Sequence, residues 1–479
     1  MKRDFTHGVA WSAAASWLEQ AAAAIIFLVI AKLIGVESFG ITAMAFAFLF
    51  LGEYLVRDTV TEAIVEREFL EEGRLEATFV ALTGFALVLT LILIILAPVI
   101  AWLYGEPVVA SLLIVASPTV LMIGVAGVST ALLRRRLAYK ALAIRTIIGV
   151  AVGGIVGIVM ALNDFGAWSL VGQRLAEIGV NSVLAFKAAN WWPKRLPRRS
   201  DFALLRGLGP RVVGLRAISL VISQTPTVML GIFADPRAVG LFAFASRLAE
   251  IVLTVSVKPV QAVAQSAIAA LRRQQTATST FFIDLTELAA FIGFVALAGL
   301  ALIAYPLTGT LLGPDWSDAS AVLPFICLAT AVTSLTAVQE AYLLAFDRLK
   351  PFVSAAMIEA AIGVVIIALV SGYGPVAAAG AVALRALLAL PLRTAAALAP
   401  EAIAPGLFVR ALIAPALIAA GMAVVVGLWR FFMLGHMPDV IYIALAILIG
   451  VLTACGLLFG GMPGTVARLR TFIEEREEE

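Results

Sequence analysis

A line of polar side chains runs through an apolar stretch of the chain at residues 239–271. Its six members follow one another at steps of three or four: Arg247, Glu250, Thr254, Lys258, Gln261 and Gln265. At about 3.6 residues per turn, these steps place all six on one face of a helix, over roughly 27 Å. Ions and amides in this arrangement cannot face lipid, so the spacing predicts one wall of a polar cavity within a membrane.

Other cations are also embedded in apolar stretches. The full set comprises Arg57, Arg145, Arg174, Arg211, Arg216, Arg247, Lys258 and Arg385. Several cations around a cavity predict an anionic substrate, and a diphosphate is the natural partner of such a group. Arg145 and Arg174 lie close to the ends of their stretches, where a long side chain is expected to extend to the membrane surface instead.

The sequence supplies two sets of candidate site residues. The predicted substrate-binding set, for diphosphate and sugar, is Arg57, Arg216, Arg247, Lys258, Gln261, Ser219 and Ser223. Three acids, Glu19, Glu53 and Glu250, are candidates for binding a coupling H⁺ or Na⁺. The alternative for each charge is an internal ion pair that holds helices together. Examples would be Glu53 with Arg57 and Glu250 with Arg247.

Composition identifies the class of protein. The chain is 62% hydrophobic and only 14% charged, with a mean hydropathy of +1.04, whereas soluble domains carry about 25% charged residues. This composition predicts an integral membrane protein. The two cysteines and two histidines are scattered, so no metal site, catalytic residue or cofactor is predicted, and no nucleic-acid partner.

Apolar runs long enough to cross a bilayer recur along the chain. There are fourteen, at residues 8–34, 39–64, 78–103, 108–133, 141–162, 167–189, 204–233, 239–271, 281–305, 319–346, 352–370, 376–399, 407–432 and 440–460. They lack the alternating pattern of membrane β-strands. The expected fold is therefore an all-α polytopic membrane protein with about 14 transmembrane helices.

The distribution of Lys and Arg predicts the orientation of these spans. If the N-terminus is cytoplasmic, the inner segments hold 23 Lys and Arg, and the outer segments hold only Lys32, Arg237 and Arg430. We therefore expect both termini to be cytoplasmic. The outer loops are all short. Tryptophans close to the predicted outer boundaries are expected at the membrane interface. They are Trp102, Trp168, Trp316 and Trp429.

An internal repeat divides the chain. GVESFG ends at Gly40 and DPRAVG at Gly240, and later DFGAWSLVG matches GYGPVAAAG at a similar offset. Parallel repeats of this kind predict two six-helix lobes around a central cavity. The predicted divisions are an N-terminal lobe at 1–190, a basic linker on anionic headgroups at 191–202, a C-terminal lobe at 203–400, and two further helices with a charged cytoplasmic tail at 401–479.

Two prolines interrupt the spans that carry polar lines. Pro226 lies in the seventh span and Pro259 in the eighth. A proline removes a backbone hydrogen bond and bends a helix. Such bends are either static kinks or hinges for alternating access, and the sequence leaves both open.

Four segments together resemble one known family. They are AKLIGVESFG, RRRLAYKAL, GPDWSDASAVLPF and LLAFDRLKPF. Their order and spacing resemble the Wzx-type polysaccharide flippases of the multidrug/oligosaccharidyl-lipid/polysaccharide (MOP) transporter superfamily. The resemblance implies a V-shaped pair of six-helix lobes with two extra helices. It also implies translocation of undecaprenyl-diphosphate-linked oligosaccharides for capsule, O-antigen (lipopolysaccharide) or exopolysaccharide synthesis.

The expected function is therefore a flippase of the bacterial inner membrane that works by alternating access and is not an enzyme. Its expected partners are the lipid-linked oligosaccharide, membrane lipids, H⁺ or Na⁺, and polysaccharide polymerase or export proteins. One alternative is a cation-coupled multidrug exporter of the same superfamily. Another is a membrane polysaccharide polymerase, although such enzymes tend to need a large outer loop and every outer loop here is short.

Overall fold

The computed structural model describes residues 2–65, 72–198, 201–202, 210–273, 278–346, 350–433 and 438–461. Throughout these ranges the chain is helical, with short turns and no strand. The helices are α1 (Lys2–Val65), α2 (Glu72–Tyr104), α3 (Pro107–Ala116), α4 (Pro118–Arg135), α5 (Tyr139–Leu162), α6 (Trp168–Ala189), α7 (Pro210–Phe233), α8 (Pro236–Ser256), α9 (Lys258–Arg273), α10 (Ser279–Leu302), α11 (Ala319–Ala345), α12 (Lys350–Val370), α13 (Pro375–Leu398), α14 (Pro405–Met433) and α15 (Asp439–Gly461). A π-helical segment, Pro306–Leu312, precedes α11.

The prediction of an all-α polytopic membrane protein is confirmed. Within the described residues, 11 helices are long and apolar enough to cross a membrane. One of them, Glu19–Arg57, contains two predicted spans. Helix α6 is not among the 11, and α7 contributes only a shorter apolar helix, Leu220–Phe233. The count of fourteen, the cytoplasmic termini and the central cavity therefore stay predictions.

A glycine separates the two spans within α1. Gly35 has φ 76° and ψ 170°, which interrupts the helical geometry. This positive φ is readily adopted only by glycine. The break divides α1 into an N-terminal arm (2–34) and a C-terminal arm (36–65), at the position of the first predicted outer turn.

The described chain forms two compact units, residues 1–240 and 241–479. In the first, α2 packs on α4, α4 on α6, α5 on α6 and α1 on α4. In the second, the helices at repeat-related positions pair in the same way: α10 with α11, α11 with α13, α12 with α13 and α9 with α11. This recurrence agrees with the predicted repeat. The predicted lobe boundaries stay predictions.

In each unit, hydrogen bonds to a glutamate connect the start of the third span to the segment that follows the sixth span. In the first unit, Glu76 accepts hydrogen bonds from the backbone N–H groups of Lys194 and Arg195, at 3.1 and 3.0 Å. In the second unit, Glu401 accepts bonds from the N–H and hydroxyl groups of Thr278, at 3.2 and 3.0 Å. The same connection occurs in both units, but the glutamate lies at the start of the third span in the first unit and after the sixth span in the second unit.

The two repeat-related glycines lie against each other's helices within residues 1–240. A Cβ atom on Gly40 would lie 1.8 Å from the carbonyl oxygen of Pro236, and one on Gly240 would lie 2.2 Å from that of Val36. Only a residue without a side chain permits this approach of two backbones. The glycines that revealed the repeat are therefore also contact positions in the fold.

The two last helices pack onto α10. A core cluster of Ile303, Met422, Tyr442 and their neighbours joins α10, α14 and α15. The interfacial placement predicted for Trp316 is wrong. Its side chain is 1% exposed and lies 4.5 Å from the Phe244 ring, because the turn after the π-helical segment places it inside the second unit.

Candidate functional site

The polar line of α8 coincides with the exposed face of that helix. Arg247 and Glu250 are 47% and 48% exposed, and their side chains form a salt bridge of 2.9 Å. Their neighbours Leu248 and Ala249 are buried. An apolar helix of membrane-crossing length therefore presents an ion pair on its open side.

The line continues on a second helix after a bend. Helix α8 ends at Ser256 and α9 begins at Lys258, with the break next to Pro259, where the proline predicted one. Lys258 is exposed and Gln261 is half-buried. The prediction that the polar residues follow one straight line on a single helix is therefore wrong, because the polar face is divided between two helices. The side chain of Gln265 lies outside the described part.

Glu53 and Arg57 of α1 face different surroundings. Arg57 is exposed, as is Tyr54 one turn before it. The Glu53 side chain is only 3% exposed and accepts a hydrogen bond of 2.9 Å from the Thr119 hydroxyl. It also accepts hydrogen bonds from the Arg174 guanidinium, one of them from Nε at 3.3 Å. Glu53 therefore forms an internal ion pair, which was the alternative to an ion-coupling role, and its partner is Arg174.

The prediction that Arg174 extends to the membrane surface is wrong. Its side chain is 20% exposed and lies between Glu53 and Glu177, with an N–O distance of 3.6 Å to the latter. Its guanidinium also lies over the ring of Phe50, 5.5 Å from the centroid. Arg145 is half-buried and donates a hydrogen bond of 2.9 Å to the Thr130 hydroxyl. Both cations belong to a charge network inside the first unit.

A glycine stripe on α5 creates the space for this network. Gly149, Gly153 and Gly157 follow at steps of four and face Asn181, Glu177 and Gln173 of α6, which follow at the same step. A Cβ atom on Gly153 would lie 2.8 Å from the Cβ of Glu177, and one on Gly149 would lie 2.7 Å from the Asn181 amide. Small residues at this spacing let membrane helices approach closely.

This stripe was missed by the sequence reasoning. The sequence does contain a signal for it: glycines recur every four residues on one helix, and polar residues recur every four residues on the next helix. The Oδ1 atom of Asn181 is buried and has no hydrogen-bond partner among the described residues. Glu19 of α1 interacts electrostatically with Glu177 and Arg145. The network therefore includes Glu19, Glu53, Glu177, Arg145 and Arg174, and Arg145 also interacts electrostatically with Arg57 and Arg134.

The second unit holds its own buried charges. Glu359 of α12 lies 3.5 Å from Arg385 and 2.6 Å from Arg393, both on α13. Arg393 also lies over the Phe352 ring, 4.9 Å from its centroid. Arg385 packs against Gly363, where an added Cβ would lie 2.4 Å from its side chain. This cluster joins α12 to α13.

The remaining predicted site residues lie on α7. Arg216 and Ser219 are on this helix, but their side chains lie outside the described part. Ser223 is exposed, and its hydroxyl donates a hydrogen bond of 3.0 Å to the carbonyl of Leu220. Within the described ranges, no group of three His, Cys, Asp or Glu side chains could hold a metal ion.

The long apolar helices define a class, the polytopic membrane proteins. Comparison with solved structures shows which fold they form. A structure of the lipid II flippase MurJ, in an inward closed conformation, matches 93% of this chain and 97% of that one, with a TM-score of 0.76 at 16% identity. A multidrug resistance MATE family transporter of the MOP superfamily, inward-facing, matches 80% of this chain and 96% of its own, with a TM-score of 0.62 at 14% identity.

Sequence comparison identifies the family. A model described as "Polysaccharide biosynthesis protein" matches residues 29–321, more than half of the chain. The chain belongs to this family of polysaccharide biosynthesis proteins. It is also 23% identical to the succinoglycan biosynthesis transport protein ExoT of Rhizobium meliloti (strain 1021), over 64% of this chain and 62% of that protein. The match thus spans less than two thirds of that relative's length.

Proposed function

We propose that the chain is a flippase that moves undecaprenyl-diphosphate-linked oligosaccharide units across the bacterial inner membrane by alternating access. Its family is that of polysaccharide biosynthesis proteins. Its fold is that of a lipid II flippase, and a sequence relative is a succinoglycan transport protein. Two of these relationships concern polysaccharide biosynthesis and the third concerns a lipid substrate, which together support a lipid-linked saccharide.

One observation carries the proposal: the exposed face of α8 is charged. Arg247 and Glu250 are each about half exposed on a helix that is otherwise apolar enough to span the membrane. A charged side chain at the bilayer centre costs about 2.5–3.5 kcal/mol even on the most permissive scale. This face therefore adjoins water, as the lining of a translocation path must.

The proposed ligand of the predicted cations is the diphosphate. On α8 and α9, the exposed cations Arg247 and Lys258 are accompanied by one acid of the predicted set, Glu250, and Arg57 is proposed as a further cation from the first unit. This leaves an excess of positive charge for an anion whose oxygens accept charge-assisted hydrogen bonds. Arg216 is proposed as a fourth cation. The amide of Gln261 and the hydroxyls of Ser219 and Ser223 are proposed to bind sugar hydroxyls.

Glu19 is the acid proposed to bind the coupling ion, H⁺ or Na⁺. The other two predicted candidates already have cationic partners, since Glu53 contacts Arg174 and Glu250 contacts Arg247. Glu19 interacts with a second acid, Glu177, as well as with Arg145. Repulsion between two neighbouring acids favours the uptake of a cation by one of them.

The two alternative functions receive less support. Multidrug transporters share the fold, but an excess of exposed cations repels the cationic substrates that such exporters usually carry. A polymerase would be an enzyme, and the family and relatives of this chain indicate transport instead. We therefore propose that the protein performs no catalysis, needs no cofactor and works beside separate polymerase and export proteins.

The test is a double variant, Arg57→Ala with Lys258→Ala, expressed at the level of wild type. We expect polysaccharide export to fall at least tenfold, lipid-linked repeat units to accumulate, and binding of lipid diphosphate by the purified variant to weaken. Lys350→Ala with Arg410→Ala is the matched control, because it removes two exposed cations elsewhere. Normal export in the first variant would show that Arg57 and Lys258 do not bind substrate. Normal export in cells lacking the protein, without accumulation, would reject the flippase itself.

A further inference from the structure

Two basic turns of the first unit come together at one end of its helices. The first turn, residues 134–140, joins α4 to α5 and reads RRRLAYK. The second, residues 187–198, closes α6 and contains WWPKRLPR. We call the surface that these two turns form the basic–aromatic patch. It contains none of the predicted substrate-binding residues, and its role does not depend on the proposed function.

Direct contacts hold the patch together. The guanidinium of Arg136 donates a hydrogen bond of 2.8 Å to the carbonyl of Ala189, which links the two turns. Trp191 packs on Phe79 of α2, with ring centroids 5.9 Å apart. The buried carboxylate of Glu76 accepts the two backbone N–H bonds of the second turn described above. These contacts fix the positions of the two turns, so the patch has a defined shape.

The patch is strongly cationic. Its basic residues are Arg134, Arg135, Arg136, Lys140, Lys187, Lys194, Arg195 and Arg198. All of them are exposed except Arg135, which is half-buried. In the described part of the chain, Glu76 and Asp201 form salt bridges with the patch, and both contact the same cation, Arg195, at 3.0 and 3.6 Å. Five further exposed cations, Arg134, Arg136, Lys140, Lys187 and Arg198, make the surface strongly positive.

Apolar side chains project from between these cations. Leu137 is 65% exposed, Tyr139 54%, Trp192 63% and Leu196 87%. Leu137 has φ 53°, a left-handed conformation that is unusual for a residue with a side chain. The local backbone bonds Leu137 N–H to Arg134 O and Tyr139 N–H to Leu137 O, at 3.0 and 2.8 Å, maintain it. The turn thus keeps a leucine exposed at a conformational cost.

We propose that the basic–aromatic patch binds the headgroups of anionic phospholipids in the membrane leaflet that it faces. The cations would contact the phosphates, and the leucine, tyrosine and tryptophan tips would enter the boundary between headgroups and acyl chains. Tryptophan and tyrosine favour this boundary, where one end of the side chain is apolar and the other wet. Each cation near an anionic membrane surface contributes about a fivefold gain in affinity.

The arrangement of the patch argues against a protein partner. Protein interfaces place aromatic and apolar residues at a centre from which charges are depleted. Here Lys194 and Arg195 separate Trp192 from Leu196, and Leu137 and Tyr139 are flanked by Arg136 and Lys140. This alternation fits a surface of lipid headgroups, which offers phosphate and acyl boundary side by side.

The test measures lipid retention by the full-length protein. Wild type is purified with an equal mixture of phosphatidylglycerol and phosphatidylcholine, and native mass spectrometry counts the lipids that remain bound. The variant is Arg134→Gln with Lys140→Gln and Arg198→Gln, which leaves the structural contacts of Arg136 and Arg195 in place. The control removes three exposed cations elsewhere. It is Lys32→Gln with Lys350→Gln and Arg410→Gln.

We expect wild type and control to retain phosphatidylglycerol at least tenfold over phosphatidylcholine, and the patch variant to lose most of this preference. A second variant, Trp192→Ala with Leu196→Ala, should lower retention of both lipids. The salt dependence of wild type provides a test that needs no variant, because binding through phosphates must weaken as ionic strength rises. Equal preference in the patch variant and wild type would overturn the proposal. So would a preference that salt does not change, or binding of a soluble acidic protein without lipid.

Discussion

The carboxylate of Glu53 lies between the Thr119 hydroxyl and the Arg174 guanidinium, almost fully buried. Its exchange for an amide in Glu53→Gln would leave Arg174 with the more distant Glu177 as its one acidic partner among the described residues. Removing one partner of a buried ion pair costs about 3–5 kcal/mol, because the remaining charge stays desolvated. We expect about 3 kcal/mol here, measured as a lower thermal unfolding temperature of the purified protein.

The matched control for that prediction is Glu250→Gln. The Arg247–Glu250 pair is also a salt bridge, but both side chains are about half exposed. Exposed pairs contribute about 0–1 kcal/mol, since water solvates either charge when the other is removed. Equal unfolding temperatures for the two variants would contradict a structural role for Glu53 and return it to the candidates for ion coupling.

Individual polar residues could be identified from sequence, but their partners could not. Helical spacing placed Glu53 and Arg57 on nearly the same face. The structure turns Glu53 into the first unit, towards Arg174 of α6. Spacing within one helix reports which residues share a face, whereas a partner on another helix depends on packing. For the same reason Arg174 was expected at the membrane surface, although it lies inside a charge network.

Helix pairs are the next scale, and α5 with α6 is the pair on which the charge network depends. Gly153 faces the Gln173 carbonyl oxygen and the Glu177 Cβ, each 2.8 Å from where its own Cβ would be. We expect Gly153→Ala to destabilise the protein by about 1–3 kcal/mol, as overpacking of a close interface does.

Helix α6 provides the control. A Cβ atom on Gly179 would meet nothing within 4 Å, so Gly179→Ala should be neutral or slightly stabilising, because alanine favours a helix more than glycine does. Thermal unfolding of the two variants side by side distinguishes these outcomes. A Gly153→Ala variant as stable as Gly179→Ala would show that the stripe is not a close-packed contact.

The positions of the helices were predicted better than the contacts between them. Every one of the fourteen apolar runs overlaps a described helix, because a backbone in lipid must satisfy its hydrogen bonds internally. Pro259 marked the bend between α8 and α9, and the glycines of the repeat marked a close contact. Trp316 shows the limit: its position near a span end was clear, but only the turn after the π-helical segment decides that it is buried.

At the scale of the whole molecule, the fold follows from composition and repeat, and the proposed function rests mainly on the family. The apolar composition required helices, and the offset of about 200 residues required two similar sets. Helix pairing repeats accordingly in the two units. The direction in which the helices cross the membrane rests on charge distribution alone, so it is the global feature that most needs a measurement.

Two turns at opposite ends of α5 provide that measurement. Lys140 and Asn163 are exposed and separated by a helix of 24 residues, which at about 1.5 Å per residue spans roughly 36 Å. Lys140→Cys and Asn163→Cys, each made with both native cysteines replaced by serine, should react differently with a membrane-impermeant maleimide on intact spheroplasts.

We expect Asn163→Cys to be labelled directly and Lys140→Cys only after permeabilisation, since inner segments carry the Lys and Arg excess. Labelling of both from one side would show that α5 does not cross the membrane. The reverse pattern would place the termini outside, and the basic–aromatic patch with them.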